Sequence, residues 1–373
     1  MKKYRIKKKN VCILAGIILV IVYLIVNPLE LIAKSKLKKL NYSDNAIKYI
    51  IKKGVKNSTL SHEYSEFVDK TIDQKDFNIE YYDKYLDLKF FEKSNDIVLV
   101  NKLIETGYSV DDINLVLKSG NNNTIKTFLE GTKYDKLSDF LKYDYAKLSL
   151  LDRYIEYKAS NVCTYKDAVV MVNIGLDNEF YEKYNDVNTF SLTMIVNKYN
   201  KVSESFVPND LIDVPSNLLI SSKNKEKANK TLIEAFEKMA TDLNHETTKK
   251  IYLSNAYRSY EEQEKTYNSL LKQKGESYVN NSVSRPGFSE HQTGLLINID
   301  TVGEFNTSVE KEWLKNNAYK YGFILRYPEK KEEITGYKGI TKQYRYVGEE
   351  IATYIAKNNI TFEEYYAMFL DKE

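Results

Sequence analysis

The sequence predicts a helical N-terminal half followed by a C-terminal half in which helices alternate with short strands. Three observations carry this. Tyrosine is abundant at 32 residues while Gly 14 and Pro 5 are sparse, which suits a mostly helical globular chain and excludes collagen-like or disordered classes. A group of short amphipathic helices recurs between residues 34 and 180. Beyond about residue 190, brief apolar runs bounded by turn residues interrupt the helical spacing. A length of 373 residues suits two or three domains. Lys+Arg 55 against Asp+Glu 52 leave a charge of +3, so no bulk field argues for nucleic acid as a partner. Cys12 and Cys163 are too few and too far apart for a disulfide framework or a cysteine-based zinc motif.

Residues 2–9 hold six cations, Lys2, Lys3, Arg5, Lys7, Lys8 and Lys9. An apolar run of 16 residues, Val11 to Val26, follows; as a helix it spans roughly 24 Å against about 30 Å of hydrocarbon. Leu29, Leu31 and Ile32 extend it beyond Pro28. The run is long for a cleavable signal, and the small-x-small site Ala33-Lys34-Ser35 lies well downstream. Cys12 stands at its start, against a lipoprotein cleavage site. The expectation is a cytoplasmic basic segment over 1–10 and an uncleaved transmembrane signal anchor over 11–32. That places the remainder outside the cytoplasm, on a single-pass protein of the cell membrane. A cleaved signal peptide is the alternative.

Residues 34–180 read as an all-α repeat region. Leu37, Tyr42-Ser43, Ile47, Ile50-Ile51 and Gly54 return as Leu103, Tyr108-Ser109, Ile113, Val116-Leu117 and Gly120. Tyr82 to Leu86 and Asp96 to Asn101 return as Leu151 to Ile155 and Asp167 to Asn173. Ser43 and Ser109 suit N-caps, and Gly54 and Gly120 suit C-terminal stops. A stalk or interaction surface is the functional expectation, and packing alone is the alternative for any single residue.

From residue 190 the pattern changes. Leu232, Phe236, Met239 and Leu243 keep helical spacing, Ile251–Ser254 reads as a strand, and Glu261–Lys274 as an amphipathic helix. In the stretch Ser284 to Asp300, His291 follows a Pro286-Gly287 turn and a Ser289-Glu290 pair. Leu295-Leu296-Ile297 then reads as a buried strand that carries Asn298 and Asp300 on one face. A histidine at a turn beside such a face is a common way to build a metal or acid–base site. A helix around Glu310–Lys320, a strand at Phe323–Arg326, a loop over Gly336–Gln343 and two helices at Glu349–Lys357 and Thr361–Phe369 complete the chain.

Residues 190–373 resemble the VanY-type D-alanyl-D-alanine carboxypeptidases, zinc peptidases of peptidoglycan stem peptides. The resemblance runs through YRSYEEQ (Tyr257–Gln263), SRPGFSEHQTGL (Ser284–Leu295), WLKNNAYKYGFILRYP (Trp313–Pro328), EEITGY (Glu332–Tyr337) and YRYVGEE (Tyr344–Glu350). It implies an α+β domain with a small antiparallel sheet and flanking helices, and a groove for a peptide ending in D-Ala-D-Ala. It also implies substrate-binding roles for Arg258, Gln263 and Ser289, with the Arg258 guanidinium able to pair with a peptide carboxylate. An internal ion pair is the other reading of Arg258.

The family's chemistry fits this chain poorly. Its first signature, S-x-H-x-x-G-x-A-x-D, supplies a His and an Asp to zinc; here it reads Ser289-x-His291-x-x-Gly294-x-Leu296-x-Asn298. Its second, E-x-x-H, supplies the general base and the third ligand; here it reads Ile340-Thr341-Lys342-Gln343. Asn298 and Gln343 offer neutral amide oxygens, and Ile340 cannot take a proton, a role worth about 10²–10⁴ in rate. The expectation is therefore no catalytic residue, no metal and no cofactor. The protein is then a membrane-anchored pseudoenzyme that binds peptidoglycan stem peptide or a cell-envelope protein. The alternative is an active zinc D,D-carboxypeptidase with a rearranged site built on His291 and Asp300. In a third reading the helical repeats carry the function.

Overall fold

The computed structural model describes residues 28–221 and 225–371. The basic segment expected at 1–10 and the anchor expected at 11–32 lie outside these residues, apart from 28–32, which are helical. Among the described residues no helix is long and apolar enough to cross a membrane. The chain forms two compact units, one ending at Asp152 and one beginning at Arg153.

The first unit is built of short helices. Ser43 accepts a hydrogen bond from the N–H of Ala46 and Ser109 from that of Asp112, so both serve as N-caps. The tyrosines before them also tie distant backbone: Tyr42 Oη accepts from the N–H of Ser65 and Tyr108 Oη from that of Tyr134. Gly54 ends its helix in the left-handed region at φ 76°, whereas Gly120 is extended. A 3₁₀ turn, Ile79–Tyr81, runs into helix Tyr82–Leu86, and Leu148–Leu150 runs into Leu151–Ser160 in the same way. The hydroxyl of Tyr85 donates to Asn101, and in the second unit that of Tyr154 donates to Asn173 in the same way.

The second unit mixes helix and sheet. Its main elements are α1 (Lys230–Thr247), β1 (Tyr252–Asn255), α2 (Tyr260–Lys274), β2 (Leu296–Asp300), α3 (Val309–Asn317), β3 (Phe323–Tyr327), β4 (Ile340–Tyr346) and α4 (Glu349–Asn358). The sheet order is β1-β2-β4-β3, every neighbour antiparallel. The α1 stripe Leu232, Phe236, Met239 and Leu243 is fully buried in one core with Leu253, Ile297, Ile299 and Phe323. Cutting Phe236 back to alanine there would cost about 3–5 kcal/mol. Because strand side chains alternate, burying Ile297 and Ile299 against α1 sends Asn298 and Asp300 to the opposite face. Trp313 belongs to the core, its indole N–H donating to Glu246 at 2.6 Å.

One sequence expectation is corrected. Residues 340–343, read as loop, are the first half of β4. Ile-Thr-Lys-Gln shows no apolar alternation, yet pairing with Tyr327 of β3 on one side and Asn298 of β2 on the other satisfies its backbone.

Candidate functional site

The site begins with a turn. Ser289 leads into a 3₁₀ turn, Glu290–Thr293, that Gly294 closes at φ 69°. A Cβ on Gly294 would lie 2.6 Å from the Leu211 side chain, so both the backbone angle and the space require glycine. The turn buries His291, whose Nδ1 donates to the carbonyl of Ala256 at 2.6 Å. Nε2 therefore keeps its lone pair. Burial, reinforced by the nearby Arg258 charge, lowers the imidazole pKa to about 3, so the ring is neutral at physiological pH.

Strand register sets the neighbours of that lone pair. Asn298 in the central strand β2 pairs with Asn255 of β1 on one side and Gln343 of β4 on the other. Three carboxamides thus stand in a row across the sheet. The amide nitrogen of Gln343 lies 3.4 Å from His291 Nε2. Among the described residues Asn298 Oδ1, which is buried, has no hydrogen-bond partner. Asp300 is engaged elsewhere: Lys342 Nζ donates to both of its carboxylate oxygens at 2.9 Å.

Arg258 sits half-buried at the start of α2. It donates to Gln263 Oε1 and to Asn255 Oδ1, each at 2.9 Å, and burial lowers its pKa. Its hydrogen-bond partners are neutral amides rather than the internal ion pair entertained from sequence. Gln263 is buried, and its amide donates to the carbonyl of Ser284 at 2.6 Å, so it braces Arg258 against the neighbouring loop. A cleft of about 200 Å³ gathers Arg258, Gln263, Ser289, His291, Ile340 and Gln343 along its lining. Asn298 and Asp300 do not line it.

Sequence reasoning missed what stands behind the turn. Arg326 Nε donates to Glu290 at 2.7 Å, and its two terminal nitrogens donate to Glu363 at 2.9 and 2.6 Å. Arg345 Nε lies 3.7 Å from Glu290, while its other nitrogens donate to the carbonyls of Leu192, Met194 and Tyr346. All four side chains are buried. Glu290 is thus the anchor of the turn that presents His291. Asn255 was also missed, and no local pattern marks it; only its pairing with Asn298 brings it to the site.

Residues 225–349 match the family model described as VanY, D-alanyl-D-alanine carboxypeptidase. Over 190 residues the chain is 34% identical to the putative carboxypeptidase YodJ of Bacillus subtilis strain 168, covering 48% of this chain and 68% of that protein. The chain belongs to the VanY carboxypeptidase family. A second relative, the bifunctional D-Ala-D-Ala dipeptidase and D-Ala-D-Ala carboxypeptidase VanXYC of Enterococcus gallinarum, is 36% identical over 127 residues, 32% of this chain and 67% of its own length. Among solved structures, that of the LdcB LD-carboxypeptidase is 34% identical, with a TM-score of 0.43, covering 47% of this chain and 85% of that one.

On the resemblance drawn from the sequence, Asn298 and Gln343 would stand in two ligand positions and Ile340 in that of the base. One imidazole and two neutral carboxamides do not fit a catalytic zinc, which takes three ligands from imidazole, carboxylate and thiolate. Among the described residues no group of three or more His, Cys, Asp or Glu is placed to hold a metal. What this VanY-family cleft offers is hydrogen bonding: a fixed imidazole acceptor, a carboxamide, and a guanidinium with neutral partners.

Proposed function

We propose that this chain is a catalytically degenerate VanY-family protein that binds the D-Ala-D-Ala end of peptidoglycan stem peptides without cutting it. Its N-terminal anchor would hold it on the outer face of the cell membrane, on the strength of the six-cation flank and the apolar run that follows. The observation that carries the reading is the Gln343 carboxamide facing the His291 lone pair where a second metal ligand belongs. Ile340 on the same lining leaves no base to activate water. Arg258, whose hydrogen-bond partners are neutral, suits the terminal carboxylate of a peptide.

Without a metal to polarise the scissile carbonyl, affinity should be millimolar, about −4 kcal/mol. The test is titration of the full-length protein with a D-Ala-D-Ala peptide, with D-alanine release assayed in parallel in the presence of zinc. Saturable binding without release is the expected result. Release that EDTA abolishes would sink the degenerate reading. Absence of binding would move the ligand to a cell-envelope protein.

A further inference from the structure

The wall of the cleft is held from outside by residues 180–206, which precede the family match at 225–349. Val202 N–H donates to the carbonyl of Gly287 at 2.9 Å, and the Gln292 amide donates to the carbonyls of Ser203 and Phe206. Phe288 packs edge-on against Tyr181 and Tyr184, with ring centres 4.9 and 5.3 Å apart. The segments SRPGF and HQTG, through which the family resemblance runs, therefore spend several side chains on gripping this strap.

Lys198 is the centre of the grip. It is 3% exposed, and its Nζ lies 4.5 Å from the Phe180 ring centre, 4.6 Å from Tyr337 and 5.5 Å from Tyr181. The ammonium donates to the carbonyl of Asn280 at 2.7 Å. It forms no ion pair among the described residues; the one charged group that bears on it is Arg285, itself stacked 4.1 Å over Tyr181. Burying an ammonium without a counter-ion opposes folding, and three π faces with one carbonyl are what offset it. Gly336 lets the lysine stem pass, since a Cβ there would lie 2.8 Å from Lys198 Cδ. Tyr181 holds a left-handed φ of 69°, a conformation a bulky residue keeps only when its surroundings enforce it.

One part of the cage, Tyr337, belongs to the cleft. Tyr337 and Ser284 both line it, and the Tyr337 hydroxyl meets that of Tyr181 at 3.3 Å. The backbone of Lys338 donates to Asn281, one residue from the carbonyl that Lys198 holds. We propose that Lys198 is a positioning residue for the cleft, its ammonium fixing the Tyr337 ring and the 280–284 segment as one wall. The role of that wall in binding rests on the peptide-binding reading above; the positioning itself does not. Burial, with Arg285 adding to it, lowers the Lys198 pKa to about 8. The groups facing it that titrate are the phenols of Tyr181 and Tyr337.

The test is hydrogen exchange on the full-length chain carrying Lys198→Met, which keeps the stem and removes the charge. Exchange over 280–289 and 336–343 should rise about tenfold, with α1 unchanged and the melting temperature not lowered. Tyr337→Phe, which keeps the ring face, should stay within about twofold of wild type, and Tyr337→Leu should reproduce Lys198→Met. Affinity for a D-Ala-D-Ala peptide should fall about fivefold in Lys198→Met. An even rise across the whole unit with a lower melting temperature, or no change in the two segments, would overturn the proposal. If wild type binds no peptide while exchange responds as stated, the positioning role stands and the peptide reading alone fails.

Discussion

Gln343 holds its amide nitrogen 3.4 Å from Nε2 of His291, on the ring nitrogen that Ala256 leaves free. The imidazole is oriented as a metal-ligating histidine is, with Nδ1 tied to a carbonyl and Nε2 presented outward. The ring is thus oriented with its lone pair outward, and the group that meets that lone pair is a carboxamide.

Purified full-length protein, prepared with zinc present, should contain well under one zinc per chain by metal analysis. Asn298→Asp together with Gln343→His should raise zinc to about one per chain, because strand register pairs position 298 with position 343, which faces His291. Adding Ile340→Glu should then yield D-alanine release, with the base supplying about 10²–10⁴ of the rate. Stoichiometric zinc in the wild type, lost on His291→Ala, would contradict this.

Arg258→Ala should weaken binding of a D-Ala-D-Ala peptide by about 1.5–3 kcal/mol, the worth of one charge-assisted hydrogen bond. Calorimetric or NMR titration reads this directly. Unchanged affinity would assign Arg258 to bracing Gln263 and Asn255 alone.

Breaking the buried quartet should be severe. Arg326→Met leaves Glu290 and Glu363 buried without their main partner and should cost about 3–5 kcal/mol in urea unfolding. Arg326→Met with Glu363→Leu removes one charge of each sign and should cost less than the sum of the single changes.

The His291 ring should not titrate between pH 5 and 8, which NMR of its Cε1–H resonance will show. Its folded pKa of about 3 lies below the ordinary value of 6.5. Between those values the unfolded chain takes up a proton that the folded ring refuses. This group's contribution to stability is thus fully present above pH 6.5 and is lost as the pH falls toward 3. A resonance midpoint near 6.5 would contradict the buried, neutral assignment.

Much of the local structure was legible in the residues. The α1 stripe Leu232, Phe236, Met239 and Leu243 follows helical spacing, and Ile297 and Ile299 alternate with Asn298 and Asp300, so the core face of β2 could be told from its opposite face. The helix starts at Ser43 and Ser109 were equally plain, since a cap is a contact three residues long. The first half of β4 was not, because nothing in Ile340–Gln343 alternates and its partners are distant strands. Glu290, adjacent to His291, carried no signal of its charge partner Arg326, 36 residues away, nor did Arg326 of its second partner Glu363, 37 residues further on.

By itself, the sequence determined the family, most of the helices and the core-facing strands, and placed Asn298, Ile340 and Gln343 in one domain, because side-chain chemistry and short-range periodicity are written locally. Only the tertiary structure decided what each residue spends itself on. Lys342 claims Asp300 across 42 residues, Gln343 faces His291 across 52, and Lys198 reaches Asn280 across 82. Those contacts are set by strand register and by the packing of buried charge, which no stretch of sequence contains on its own.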